Sequence, residues 1–337
     1  MRRQVAINGF GRIGRAFTRI AESKQDSEIE IAAINDLTDP QILAHLLRRD
    51  TVHGAFPGEV RATDNSIIIN GREIPCSSER DPSNLNWGEK EISTVIESTG
   101  HFRDREGASK HLEAGAEEVL ISAPAKNPDG TFVIGVNDHE YNPDRDKIIS
   151  IASCTTNCAA QIAKILDDTF GIIRGSLTTT HSYTGDQSLV DGPHQDPRRT
   201  RAAAANIIPT STGASQSIGK VLPNLEGKLR GVAIRVPVPN GSLVEFNATL
   251  EQGTSIDEIN RIFRTDAQKL LNGIIEFSEE PLVSSDIIGN PHSAIIDSLL
   301  TDVRDGIFVT VYAWYDNEWG YANRLYEFAE EVAKQKK

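Results

Sequence analysis

The chain has 337 residues, enough for two domains at about 150 residues each, and 38% hydrophobic with 25% charged residues is the profile of a globular protein. Lys and Arg number 35 against 48 Asp and Glu, a formal charge of −13, and there is no basic run, so neither nucleic-acid binding nor docking on an anionic membrane is expected. No apolar window approaches the roughly 18 residues of a membrane span, the first residues hold no signal-peptide core, and three cysteines are too few for a disulfide framework, so a reducing, cytoplasmic home is expected.

In chain order, an apolar strand at Val5-Ala6-Ile7 runs straight into a glycine turn. Arg12 to about Ser23 reads as a helix, with Ile13, Phe17 and Ile20 on one face. A second strand, Glu28 to Ile34, leads into Asn35-Asp36, and strand-like runs follow at 66–70, 94–97, 118–122 and 148–152, with a helical stretch at 103–114. Strands alternating with helices predict an α/β, doubly wound, mostly parallel sheet. Beyond residue 150 the pattern changes. Alternating β-branched runs at 176–180, 233–238, 243–250 and 307–314 are separated by helices near 156–168, 210–221 and 256–271, which predicts an α+β domain with a mainly antiparallel sheet. Tyr321, Leu325, Phe328 and Val332 make the last segment an amphipathic helix.

Gly9-Phe10-Gly11-Arg12-Ile13-Gly14 is a G-x-G-x-x-G turn between a strand and a helix. The first glycine permits the tight turn, the second lets backbone approach a pyrophosphate, and the third allows close helix–strand packing. The helix N-terminus then offers N–H donors to phosphate. Asp36, 22 residues beyond Gly14, closes the next strand. A carboxylate there accepts from a ribose 2′-OH and repels a 2′-phosphate, so NAD is favoured over NADP. The plainer reading of Asp36, as the start of a turn, needs no ligand.

Cys154 stands at the start of a helix, where the dipole and unpaired N–H groups stabilise a thiolate, a setting that suits a nucleophile. Cys158, Ile162, Ile165 and Leu166 share one face, which makes Cys158 a core residue; Cys76 reads as packing in a short strand. No further cysteine or histidine pair follows at zinc spacing, so no metal is expected. His181 ends a strand and is placed to exchange a proton with a thiol, although periodicity alone favours the plainer reading of a lone histidine as a satisfied core or surface residue.

The strings Ile7-Asn8-Gly9-Phe10-Gly11-Arg12-Ile13-Gly14-Arg15, Ser153-Cys154-Thr155-Thr156-Asn157-Cys158, His181-Ser182-Tyr183-Thr184-Gly185-Asp186-Gln187, Pro209-Thr210-Ser211-Thr212-Gly213-Ala214 and Asp316-Asn317-Glu318-Trp319-Gly320-Tyr321 closely resemble phosphorylating glyceraldehyde-3-phosphate dehydrogenases, in the family's order and over nearly the whole chain. The resemblance implies a Rossmann-type NAD-binding domain over 1–153 plus a C-terminal helix at about 318–337, and a catalytic domain over 154–317. It implies that Cys154 attacks glyceraldehyde 3-phosphate with His181 as base, that hydride leaves for NAD, and that inorganic phosphate releases the acyl group. Thr184, Asp186 and Arg235 would serve the substrate phosphate, and Ser153, Thr155, Thr212, Gly213 and Arg199 the attacking phosphate. Gly9, Phe10, Gly11, Arg12, Ile13, Asp36, Arg80, Thr99, Ser122 and Asn317 would hold the dinucleotide, with Tyr321 beside the nicotinamide. The family also implies a homotetramer.

The chain departs from the family pattern at Ile151, where asparagine is usual, at Gln161, where proline is usual, at Gly192 and Pro197, where leucine is common, and at Ala322, where serine is frequent. The nearest rival is erythrose-4-phosphate dehydrogenase. A thiol hydrolase leaves the glycine turn and Asp36 unexplained, and a non-catalytic nucleotide-binding relative leaves Cys154, His181, Arg199 and Arg235 without a role.

Overall fold

A computed structural model describes residues 2–335. The described residues of Met1–Phe132, Glu140–Ala152 and Ala322–Lys337 form one compact unit, and Val133–His139 with Ser153–Tyr321 form a second. No helix among the described residues is long and apolar enough to cross a membrane.

The first unit is built on a nine-stranded sheet. Its centre is parallel: Arg3–Asn8 lies between Ile29–Asn35 and Thr94–Glu97, with Glu118–Ile121 and Ile148–Ser150 continuing on one side. The middles of these strands are apolar and the strands are almost wholly buried, as a sheet covered on both faces demands. Register places Asn8 beside both Asn35 and Glu97, so three polar strand ends form one row. Toward the opposite edge, formed by Val60–Ala62, runs an antiparallel hairpin, Ser66–Ile69 with Arg72–Ser77, closed by Asn70 and Gly71 at φ 51° and 84°, the left-handed pair that such a turn requires. The Arg12–Ser23 helix matches its predicted limits. Pro40–Arg48 is a further helix where the sequence suggested only a turn: Asp39 precedes it and Pro40 opens its first turn, a position where a missing N–H costs nothing. The C-terminal part of Trp319–Gln335 is bound into this unit by Phe328, which stacks 5.6 Å from Phe132 and meets Tyr141 edge-on, and by Tyr326, whose hydroxyl donates to Ser27 Oγ at 2.9 Å.

The second unit carries a seven-stranded sheet in which four of six pairings are antiparallel. Ile172–Ser182 sits between Leu229–Val236, parallel to it, and Ser242–Leu250, antiparallel. Cys154–Phe170 covers the sheet with a continuous apolar face that includes Cys158. Two predicted elements change. The helix expected at 210–221 is a strand, Ile208–Ser211, followed by a shorter helix, Ala214–Val221; β-branched Thr210 and Thr212 favour extended backbone, and Gly213 starts the helix. Ala294–Arg304, a long strand, had no predicted counterpart.

Candidate active site

The nucleotide-type turn follows from three glycines with different burdens. Gly9 has φ +92°, and a Cβ on it would lie 2.6 Å from the Thr99 nitrogen. A Cβ on Gly14 would lie 2.5 Å from the Gly9 carbonyl oxygen, so helix and turn touch through bare backbone. Gly11, which precedes the first helical residue, has open space where its Cβ would stand and supplies no side-chain cap, leaving the first N–H groups of the helix to a ligand.

A cleft of about 450 Å³ opens there, and Gly9, Gly11, Asp36, Arg80 and Thr99 all line it. Asp36 is held by the Phe10 N–H at 2.8 Å on one oxygen and the Thr38 N–H at 2.9 Å on the other. Each oxygen keeps a lone pair for a ribose hydroxyl. The other expected dinucleotide residues lie elsewhere. The Phe10 side chain is core, the Arg12 guanidinium pairs with Asp50, Ile13 does not line the cleft, and Ser122 donates its backbone N–H to the Glu97 carbonyl. Arg12 thus contributes helix backbone more than a free charge. The open face at Gly11, a helix start with no side-chain cap and the paired acceptor Asp36 fit a dinucleotide.

In the second unit, Ser153 caps the nucleophile helix, its Oγ accepting from the Thr156 N–H at 3.0 Å, so Cys154 is the first helical residue. Residue Ala152, just before the cap, has φ 53°, a left-handed conformation uncommon outside glycine. His181, near the end of Ile172–Ser182, places Nε2 3.5 Å from Cys154 Sγ. Its Nδ1 lies 2.7 Å from the Ser182 carbonyl oxygen, an acceptor that favours the tautomer with the proton on Nδ1 and the Nε2 lone pair facing the sulfur. Burial first, and then the Arg235 charge, lower the His181 pKa to about 3. Burial also pushes the Cys154 thiol up, against the opposing Arg235 charge and the Thr155 N–H. The ligand-free pair is therefore a thiol beside a neutral imidazole.

Arg235 joins this pair to an anion site. Its Nη1 is 2.9 Å from His181 Nδ1 and donates to the Ser182 carbonyl at 3.0 Å and to Thr184 Oγ1 at 3.1 Å. Its Nε is buried with no partner among the described residues, a donor left for an incoming acceptor. Asp186 accepts from Thr184 and pairs with Arg199, whose Nε donates to Thr210 Oγ1 at 3.1 Å. Burial pulls the Asp186 carboxyl up, but Thr184 and the two guanidiniums together hold it below the usual value.

The other expected residues divide by what their polar groups already do. Thr155 Oγ1 is engaged with the Tyr315 hydroxyl at 2.9 Å, and Ser153 with its cap. Thr212 and Gly213 stand beyond Ile208–Ser211, a strand paired with the one that carries Arg235, and Thr212 accepts from the Ala214 N–H at 3.2 Å. Asn317 Oδ1 accepts from Ser182 Oγ, Ser242 Oγ and the Gly241 N–H, so the amide NH₂ is the group that remains to donate. Tyr321 is buried near Cys154, and that burial raises its hydroxyl pKa far above the ordinary value.

Sequence reasoning missed Tyr315, whose hydroxyl bridges Thr155 and Thr179 and whose ring meets His181 edge-on with centroids 6.0 Å apart. The only signal was its place one residue before the Asp316-Asn317 string. Gln161, one of the departures, is buried and its Nε2 donates to the Ile134 carbonyl at 2.7 Å. Among the described residues no group of three or more His, Cys, Asp or Glu is placed to hold a metal ion.

Comparison with known proteins agrees with this geometry. The family described as glyceraldehyde 3-phosphate dehydrogenase, NAD binding domain, matches residues 3–105, and the family described as glyceraldehyde 3-phosphate dehydrogenase, C-terminal domain, matches residues 153–317. The chain is 54% identical over 332 residues to glyceraldehyde-3-phosphate dehydrogenase 2 of Trichormus variabilis, covering 98% of both chains. It is 53% identical over 330 residues to glyceraldehyde-3-phosphate dehydrogenase of Geobacillus stearothermophilus, again with 98% of both chains covered.

Proposed function

The chain belongs to the glyceraldehyde-3-phosphate dehydrogenase family, and we propose that its Cys154–His181 pair carries the phosphorylating oxidation of glyceraldehyde 3-phosphate to 1,3-bisphosphoglycerate, with NAD as oxidant. The observation that carries this reading is the sulfur 3.5 Å from a neutral Nε2, with a buried, partly unpartnered arginine on the other side of the same ring.

Cys154 Sγ adds to the aldehyde carbon while its proton passes to His181 Nε2, which returns it to the new oxyanion and gives a hemithioacetal. The imidazolium and the Cys154 backbone N–H at the helix start are the donors for the oxygen that becomes negative. NAD, when bound, supplies the hydride acceptor that turns the hemithioacetal into a thioester. His181 takes the hydroxyl proton in that oxidation. Inorganic phosphate then attacks the thioester carbon, the C–S bond breaks, and Cys154 leaves as the thiolate and regains a proton.

Arg235, with Thr184 and with Asp186 orienting it, serves the phosphate of the substrate. Arg199, Ser153, Thr155, Thr212 and Gly213 serve the attacking phosphate. Gly9, Gly11, Asp36, Arg80 and Thr99 hold NAD from their side chains and backbone, Phe10, Arg12 and Ile13 from the helix start, and Ser122 from its strand end. Asn317 donates its free amide to the nicotinamide carboxamide, beside Tyr321. Asp36 makes NAD the preferred cofactor over NADP.

Assembly as a homotetramer is supported by Leu189, Val190 and Ile207, apolar residues that are 84%, 75% and 69% exposed in the single chain. A cytoplasmic location is supported by three cysteines that are all free.

Initial rates with glyceraldehyde 3-phosphate, with and without phosphate and with NAD or NADP, test the reading. Phosphate-dependent turnover with NAD is expected. Phosphate-independent turnover with a preference for erythrose 4-phosphate would instead place the chain with the four-carbon enzyme.

A further inference from the structure

Beneath the nucleotide cleft lies a row of buried polar side chains that the reaction scheme does not use. Glu97, 1% exposed, ends the strand beside Arg3–Asn8. Four donors converge on its two oxygens. The Thr99 N–H at 2.8 Å and the Thr99 hydroxyl share Oε1, while Asn8 Nδ2 at 2.6 Å and His111 Nε2 at 3.1 Å share Oε2.

The His111 tautomer is dictated from its other side. Trp87 Nε1 can only donate, and it points at His111 Nδ1 from 3.0 Å. Nδ1 is then the acceptor and Nε2 carries the proton that Glu97 receives. Asn8 extends the row, its Oδ1 accepting from Asn35 Nδ2 at 2.7 Å. Asn35 in turn exchanges two bonds with the Glu79 backbone, next to Arg80 on the far wall of the cleft.

The row ends on the residues that shape the phosphate turn. Thr99 lines the cleft, and its nitrogen lies where a Cβ of Gly9 would be, so the Gly9 turn rests on the Ser98–Thr99 backbone. Ser98 Oγ also donates to the Gly9 carbonyl at 2.7 Å. We propose that Glu97 is the positioning residue of this cleft: with His111 locked by Trp87, it fixes Thr99 and Asn8 and thereby pre-forms the turn that receives the NAD pyrophosphate. The inference rests on the assignment of this cleft to NAD. Pre-formation lowers the ordering cost of binding, so the effect falls on cofactor affinity and not on the chemical step.

Glu97→Gln is the sharpest probe. An amide has one oxygen, so its NH₂ must face either the two Thr99 donors or Asn8 and His111. In the second case His111 cannot change tautomer to accept, because a proton on Nδ1 would meet the Trp87 N–H. Two donors are opposed either way.

The dissociation constant of NAD, measured by titration against the intact protein, should rise about tenfold or more in Glu97→Gln. Amide exchange at residues 98–100 of the free protein should quicken, while kcat at saturating NAD and KM for the aldehyde stay within about twofold. His111→Leu should weaken NAD in the same way, and His111→Gln, whose amide restores a donor to Glu97, should recover most of the loss. An NAD dissociation constant unchanged in Glu97→Gln, a fall in kcat without a change in that constant, or a His111→Gln variant no better than His111→Leu would each overturn the proposal. If Glu97→Gln does not fold, the two His111 variants decide. Asp36→Ala is the control: if it leaves NAD binding unaltered, the assignment of the cleft has failed and not the role of Glu97.

Discussion

Replacing Asp36 by alanine should invert cofactor preference by more than the loss of one charge explains. In the native site each carboxylate oxygen accepts one backbone N–H, from Phe10 at 2.8 Å and Thr38 at 2.9 Å. The remaining lone pairs face the cleft and suit the ribose hydroxyls. A hydrogen bond to a charged group contributes about 1.5–3 kcal/mol, so losing the ribose contact lowers kcat/KM for NAD by roughly 10- to 150-fold. For NADP the sign is opposite. A carboxylate within about 4 Å of a phosphate charge is repelled by about 4 kcal/mol at an effective dielectric of 20, and Asp36→Ala removes that term. It also frees the Phe10 and Thr38 N–H groups, two donors placed for the oxygens of a 2′-phosphate. The NAD-to-NADP ratio of kcat/KM should therefore fall by about 10³-fold or more. Asp36→Asn separates the two causes, because it removes the charge yet keeps one oxygen on one of those N–H groups, and it should fall between. Initial rates with both cofactors give the ratio. A change of less than about threefold in Asp36→Ala refutes the reasoning and moves selectivity elsewhere, toward Gly192.

Cys154→Ala should reduce aldehyde oxidation by more than roughly 10³-fold while the NAD dissociation constant stays within about twofold, since the nucleophile is lost and the cleft is untouched; equal loss of both would sink the assignment. Gly11→Ala and Gly14→Ala should part company. The first meets nothing within 4 Å and should keep the native melting temperature but weaken NAD, whereas the second meets the Gly9 carbonyl at 2.5 Å and should melt several degrees lower. Acid stability should depend on His181. Its folded pKa is lowered to about 3 from an ordinary 6.5, so between those values the unfolded chain binds the extra proton and stability falls as pH drops. That slope reaches at most about 1.4 kcal/mol per pH unit, and chemical denaturation at stepped pH should show it reduced in His181→Gln.

What the sequence made legible was local. The glycine turn and Asp36 are separated by one helix and one strand, and a helix that starts at Cys154 is announced by Ser153 and by Cys158, Ile162, Ile165 and Leu166 on one face. The second sheet was also anticipated as mainly antiparallel, because its β-branched runs alternate with so few helices. What escaped was set by partners distant in sequence. Glu97 meets Asn8 across 89 positions and His111 across 14, so nothing in its neighbourhood announced four converging donors. Its one local signal was the one that marked Asp36, an acid closing a parallel strand. Tyr315 reaches Thr155 and Thr179 from 160 and 136 positions away. Arg12 illustrates the converse: its place in the motif suggested a charge for the cofactor, but Asp50, in the short strand Arg49–Asp50, takes the guanidinium.

The commitment of Arg12 bears on how a chain of net charge −13 holds anions. Two guanidiniums are already matched, Arg12 by Asp50 and Arg199 by Asp186, while Arg80 at the cleft and Arg235 beside His181 add charge of their own. Recognition also rests on placed donors: the helix start after Gly11, which has no side-chain cap, the helix start after Ser153, and the unpartnered Nε of the charged Arg235. Such donors act over about 3 Å, well inside a Debye length of about 8 Å at physiological salt, so the distant acidic surface reaches the encounter of the ligand more than its bound state. A pre-formed turn then matters more than added charge would. Backbone donors bind an anion only where they are held converging, and that is the work left to Gly9, Gly14 and the buried row beneath them.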